Sequence, residues 1–145
     1  MRVLFVCTGN TCRSPLGAAI LERLAGEKGV EVRSAGTGAG AGSPATEEAR
    51  RVAERHGLSL ERHRSLPLEP EVLAWADHVL VMENYHKRTV ERLGAGEKVT
   101  LLSEYGGDGR DIDDPFGMGE ASYERVYELL ETYLAQFLTT ERHPK

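Results

Sequence analysis

Arg2-Val3-Leu4-Phe5-Val6-Cys7-Thr8-Gly9-Asn10-Thr11-Cys12-Arg13-Ser14-Pro15 sets the architecture of this chain. The apolar run up to Val6 reads as a buried strand. Ser14-Pro15 reads as a helix start, with serine as cap and proline at the first helical position. Cys7 and Arg13 therefore bracket a short loop at a strand-to-helix junction. Five residues separate them, enough to close one turn of backbone whose N–H groups point inward at an anion. An oxyanion held there would touch the cysteine sulfur.

Three further β-rich runs follow, Val30 to Ser34, His78 to Met82 and Lys98 to Leu102, each separated by helical segments. This alternation predicts an α/β domain with a parallel sheet. The first helix carries Leu16, Ile20 and Leu24 towards Gly29, and a second begins at Ser43-Pro44 and ends at Gly57. Pro70 to Ala76 reads as a helix packing Val72, Leu73 and Trp75. Asn84 to Leu93 reads as another, with a basic face of His86, Lys87 and Arg88. From Ser122 to Leu138, Tyr123, Val126, Tyr127, Leu130, Leu134 and Phe137 recur at three- and four-residue steps, the pattern of an amphipathic terminal helix. Residues 140–145 read as a flexible tail. The glycine-rich run from Gly36 to Gly42 has GxGxG spacing but lacks the first-strand position and the later ribose-binding acid. It is read as a flexible loop and not as a dinucleotide fingerprint.

The 145 residues, 40% of them hydrophobic, suit one domain spanning 1–145 with a real core. A net charge of -5 argues against broad electrostatic binding to nucleic acid or an anionic bilayer. No secretory signal is readable before the first strand, and no segment approaches membrane-spanning length. Cys7 and Cys12, the two cysteines, share one tight loop and cannot staple distant parts of the fold. A reducing, cytoplasmic setting is expected.

The chemistry follows from residue types. The thiolate is the nucleophilic form of cysteine, and a helix N-terminus with a nearby guanidinium favours it. Arg13 offers a planar fork to two phosphoryl oxygens and keeps its charge throughout a reaction. Gly9 allows a tight turn and close backbone approach, and Asn10 tolerates left-handed backbone and can pin the loop through its amide. Ser14 can donate to the Cys7 sulfur, cap the helix, or do both. Attack on phosphorus needs a proton donor for the leaving group, and Asp111-Ile112-Asp113-Asp114-Pro115-Phe116-Gly117 is the most suggestive acid cluster. Asp114 is the candidate acid because proline restricts the residue before it; taken by itself, an acidic Asp-Pro stretch is more often just a turn. Asp111 and Asp113 read as supports or as solvent-facing charges. The plainer reading makes Cys7 a small buried apolar side chain and Arg13 a surface charge.

With CTGNTCRSP at the first strand, RSAG at Arg33 to Gly36, ADHVLVM at Ala76 to Met82 and DPFG at Asp114 to Gly117, the chain resembles the low-molecular-weight protein tyrosine phosphatase family. The resemblance runs nearly full length. It implies a single-domain three-layer sandwich, a four-stranded parallel sheet in order 2-1-3-4 flanked by helices, and a phosphate loop after strand 1. It further implies Cys7 as nucleophile, Arg13 as phosphate and transition-state ligand, and Asp114 as acid then base. Ser14 would be the thiolate partner and Asn10 the loop organiser, with Thr8, Gly9, Thr11 and Cys12 completing the phosphate-binding loop. No metal or other cofactor is required by that mechanism, and inorganic phosphate is the product. Cys12 matches a position where a neighbouring thiol can trap an oxidised Cys7 as a disulfide, or it merely packs the loop.

Thr11 and Phe116 bear on substrate. Relatives acting on phosphotyrosine commonly carry an aliphatic residue where Thr11 stands, and threonine there resembles the protein-arginine phosphatase branch. Phe116 is followed by Gly117 and not by a second aromatic, which thins the wall for a phenyl ring. The expectation is a phosphorylated protein substrate, phosphoarginine ahead of phosphotyrosine, acted on by a monomer or weak homodimer. A thiol-coupled arsenate reductase is disfavoured because no cysteine follows Cys12. A non-catalytic phosphopeptide-binding module is disfavoured by the presence of Cys7, Arg13 and Asp114 together.

Overall fold

Strand β1 (Arg2–Cys7) is buried from Val3 onward because it runs down the middle of the sheet in the computed structural model, which describes residues 1–27 and 29–142. It pairs in parallel with β2 (Glu31–Gly36) on one side and β3 (His78–Val81) on the other; β4 (Val99–Leu101) lies outside β3. The order is thus β2-β1-β3-β4, as expected. Alternate β1 side chains serve opposite faces. Val3, Phe5 and Cys7 pack with α1 (Arg13–Ala25), α2 (Glu47–Arg55) and α5 (Glu120–Arg142). Leu4 and Val6 pack with α3 (Pro70–Trp75) and the Val90 side of α4 (Asn84–Arg92). The result is a single-domain three-layer sandwich. Among the described residues no helix is long and apolar enough to cross a membrane.

Several element boundaries differ from expectation for local reasons. Helix α1 starts at Arg13 with Cys12 in the cap position, so Ser14 lies in the first turn and does not cap it. Its hydroxyl is spent on side chains instead. Helix α2 begins only at Glu47, where Thr46 Oγ1 accepts the Ala49 N–H at 3.3 Å. Helix α5 continues through residues 140–142, where the sequence predicts a flexible tail; residues 143–145 lie outside the described ones.

The run after β2 is braced, not loose. Thr37 and Gly38 donate their N–H groups to the carbonyls of Cys7 and Thr8, both at 2.9 Å, and Gly42 N–H reaches Ser65 O at 2.8 Å. Gly36 makes this approach possible. A Cβ there would stand 2.4 Å from the Thr8 carbonyl oxygen and 2.9 Å from the Asn10 nitrogen. Replacing Gly36 with alanine must push the loop away from its support, at a cost of about 1–3 kcal/mol. The melting temperature should fall for Gly36→Ala; an unchanged melting temperature would contradict this close packing.

Candidate active site

The loop after β1 is folded around the side chain of Asn10, which is fully buried and sits at φ 56°. Asparagine tolerates that left-handed backbone because its short amide bonds locally. Gly9, expected to supply the turn, is not the residue with positive φ. Asn10 Oδ1 accepts the Leu66 N–H at 2.9 Å, which leaves Nδ2 to donate to Ser14 Oγ at 2.7 Å. Ser14 Oγ lies 2.9 Å from Cys7 Sγ. Since the serine oxygen already accepts from Asn10, its own proton is free to point at the sulfur. His63 Nε2 donates to the Asn10 carbonyl at 2.6 Å, and burial holds its pKa below the ordinary histidine value.

Arg13 is 1% exposed, so the surface-charge reading of this residue fails. One terminal nitrogen, Nη1, donates to Glu83 Oε2 at 2.7 Å and to the Ile112 carbonyl at 2.6 Å. The opposite edge is free of such bonds: Nε is buried without a partner, and Nη2 stands 3.8 Å from Asp114 Oδ2. A guanidinium edge carrying two parallel N–H groups matches two oxygens of one anion.

Asp114 is held by its own turn, with Oδ1 accepting the Phe116 N–H at 3.1 Å. Its side chain is about half exposed. Asp111 is a support: its Oδ1 accepts both Asn84 N–H at 2.7 Å and Asn84 Nδ2 at 3.0 Å, tying the acidic loop to the start of α4. Asp113 is exposed to solvent. Cys7, Thr8, Gly9, Thr11, Cys12, Arg13, Asp114 and Phe116 line a cleft of about 240 Å³. Every loop position predicted from sequence except Asn10 and Ser14 faces this cleft, and those two lie behind it.

Cys12 Sγ lies 3.3 Å from Tyr123 Oη and 3.8 Å from Thr46 Oγ1. Burial pushes the Cys12 thiol up, more than its hydroxyl neighbours Tyr123, Thr46 and Thr11 bring it down. Burial raises the Tyr123 hydroxyl as well. Thr46 also donates its N–H to the Thr11 carbonyl at 2.9 Å. Both cysteines are free thiols.

A thiol at the carboxyl end of a central parallel strand, facing a buried arginine with an open edge, defines a cysteine-based phosphatase of the low-molecular-weight class. The chain belongs to the low molecular weight phosphotyrosine protein phosphatase family, whose model matches residues 2–143. It is 46% identical to a protein-arginine-phosphatase of Geobacillus stearothermophilus, over 97% of this chain and 98% of that one. A solved structure of YwlE arginine phosphatase, a Cys-to-Ser mutant with phosphorylated active site serine, superposes with TM-score 0.93 at 35% identity, covering 100% of this chain and 98% of that one. The low molecular weight protein tyrosine phosphatase from T. tengcongensis superposes at 0.91 with 36% identity, covering 97% and 99%.

Sequence reasoning missed Glu83, His86, His63, Thr46 and Tyr123. Glu83 and His86 had a usable signal: they follow β3, the neighbour of β1, at the same carboxyl end of the sheet where ligands gather. Tyr123 had none, since its spacing within α5 reads as core. His86 departs from its expected place on a basic face, for it is fully buried. Burial first, and the Arg13 guanidinium second, push its pKa from 6.5 down to about 4. Between those values the unfolded chain binds a proton that the folded one refuses, so stability falls as pH drops through this window. Denaturation midpoints at pH 7 and pH 5 should therefore show a smaller loss for His86→Gln than for the parent. Equal losses would contradict the buried neutral imidazole.

Proposed function

We propose that this chain hydrolyses phosphorylated protein side chains through a cysteinyl-phosphate on Cys7, with phosphoarginine preferred to phosphotyrosine. The observation that carries the chemistry is the open Nε–Nη2 edge of the buried Arg13, in the same cleft as Cys7 and Asp114. That edge takes two phosphoryl oxygens of the substrate. Cys7 Sγ attacks phosphorus, an S–P bond forms, and the bond from phosphorus to the leaving nitrogen or oxygen breaks as Asp114 gives it a proton. Water then attacks phosphorus, Asp114 takes its proton, and the S–P bond breaks to release inorganic phosphate. The Ser14 hydroxyl stabilises the departing thiolate from 2.9 Å. The phosphorylated serine in the YwlE Cys-to-Ser mutant supports covalent transfer at the matching position.

The substrate preference rests on Thr11 and on a sparse aromatic wall. Thr11 lines the cleft with a hydroxyl that can engage a guanidinium or the hydrolytic water. Phe116 is the aromatic residue among the cleft's lining, and it is 67% exposed. The protein-arginine-phosphatase name of the 46% identical relative supports the same reading. One observation favours phosphotyrosine: Tyr85, 40% exposed, lies with its hydroxyl 3.3 Å from Thr8 Oγ1 and adds an aromatic ring near the mouth.

The deciding experiment compares kcat/KM on phosphoarginine and phosphotyrosine peptides for the parent, Thr11→Ile and Cys7→Ser. The parent should favour phosphoarginine, Thr11→Ile should shift the ratio towards phosphotyrosine by about tenfold, and Cys7→Ser should be inactive on both. A parent preference for phosphotyrosine would overturn the substrate assignment, and turnover by Cys7→Ser would overturn the nucleophile.

A further inference from the structure

The N-cap and first turn of α4 grip both ends of the phosphate loop. Glu83 holds Arg13 at one end, and His86 Nε2 lies 2.9 Å from Thr8 Oγ1 at the other. The imidazole has one possible tautomer in this setting. Its Nδ1 accepts the Glu83 N–H at 3.0 Å, so the proton of the neutral ring sits on Nε2 and is donated to Thr8. Thr8 Oγ1 is thereby fixed as an acceptor towards His86, and its own proton must point elsewhere. Two directions are available: Tyr85 Oη at 3.3 Å, itself 2.8 Å from Thr37 Oγ1, and the cleft that Thr8 lines.

We infer that His86 is a positioning residue for the reaction: by donating to Thr8 Oγ1 it fixes the residue after Cys7 and leaves the Thr8 hydroxyl proton free to reach the bound phosphoryl group. This rests on the phosphatase reading of the cleft. A neutral ring suits the position. A lysine could make the same donation but would set a second cation beside Arg13. An aliphatic residue would leave Thr8 free to rotate and the Glu83 N–H without its acceptor. His86 is fully buried and makes no contact with the cleft itself, so its influence on the anion passes through Thr8.

The two ring nitrogens can be tested separately. In His86→Asn the amide oxygen falls near the place of Nδ1 and keeps the bond from Glu83 N–H, while the donor to Thr8 is lost. In His86→Gln the amide nitrogen reaches the place of Nε2 and keeps the donor. These variants, Thr8→Val and the double variant Thr8→Val/His86→Asn are compared by kcat and KM on p-nitrophenyl phosphate and by calorimetric Kd for inorganic phosphate. His86→Asn and Thr8→Val should each lose about tenfold in kcat/KM and weaken phosphate binding. His86→Gln should stay within about threefold of the parent, and the double variant should be no worse than Thr8→Val by more than about twofold.

Asn performing as well as Gln, or losses that multiply in the double variant, would overturn the inference. Should His86→Asn fail to fold, seen in its melting curve, Thr8→Val decides alone: full activity and phosphate affinity would overturn it. A parent that binds phosphate but does not hydrolyse the ester would refute the phosphatase reading instead, and the phosphate Kd series still judges His86.

Discussion

A guanidinium that is 1% exposed needs a counter-charge within the fold, because an uncompensated buried cation costs several kcal/mol. Glu83 and the Ile112 carbonyl meet that need at Nη1 and leave the other edge of Arg13 free. Much of the architecture follows from this division. Glu83 is available because β3 lies beside β1 in a parallel sheet, so the residues after both strands emerge at one end. Ile112 is available because its N–H is tied to the Met82 carbonyl at 2.8 Å, which brings the acidic loop across the same end and sets Asp114 near Arg13.

The loop that carries Cys7 is held from every side that does not face the cleft. Leu66 and His63 hold Asn10, Thr46 and Tyr123 hold Thr11 and Cys12, and His86 holds Thr8. Gly36 lets the next loop press directly on its backbone. Donors fixed in this way need no reorganisation when charge develops on a phosphoryl group, which is the main way a protein accelerates such a transfer.

The strand-loop-helix signal at residues 2–15 made the fold legible, since a buried apolar run, a loop of fixed length and a Ser-Pro helix start agree with one another. The residues lining the cleft were legible for the same reason: they lie within one short stretch, with Asp114 marked by its proline. What surrounds the loop was not. Tyr123 is 111 positions from Cys12 and looks like any core aromatic, and His63 and Thr46 come from loops whose path depends on tertiary packing. Ser14 illustrates the same limit on a small scale. Its local context says cap, but the buried Asn10 amide and Cys7 sulfur claim its hydroxyl and move the helix start to Arg13.

The central claim is that one edge of a buried, pre-positioned Arg13 binds the phosphoryl group. Calorimetric titration of inorganic phosphate into the parent and into Arg13→Lys tests it most directly, because lysine keeps the charge and removes the fork. The account predicts an affinity lower by about tenfold or more in Arg13→Lys. Equal affinity in the two proteins would contradict it.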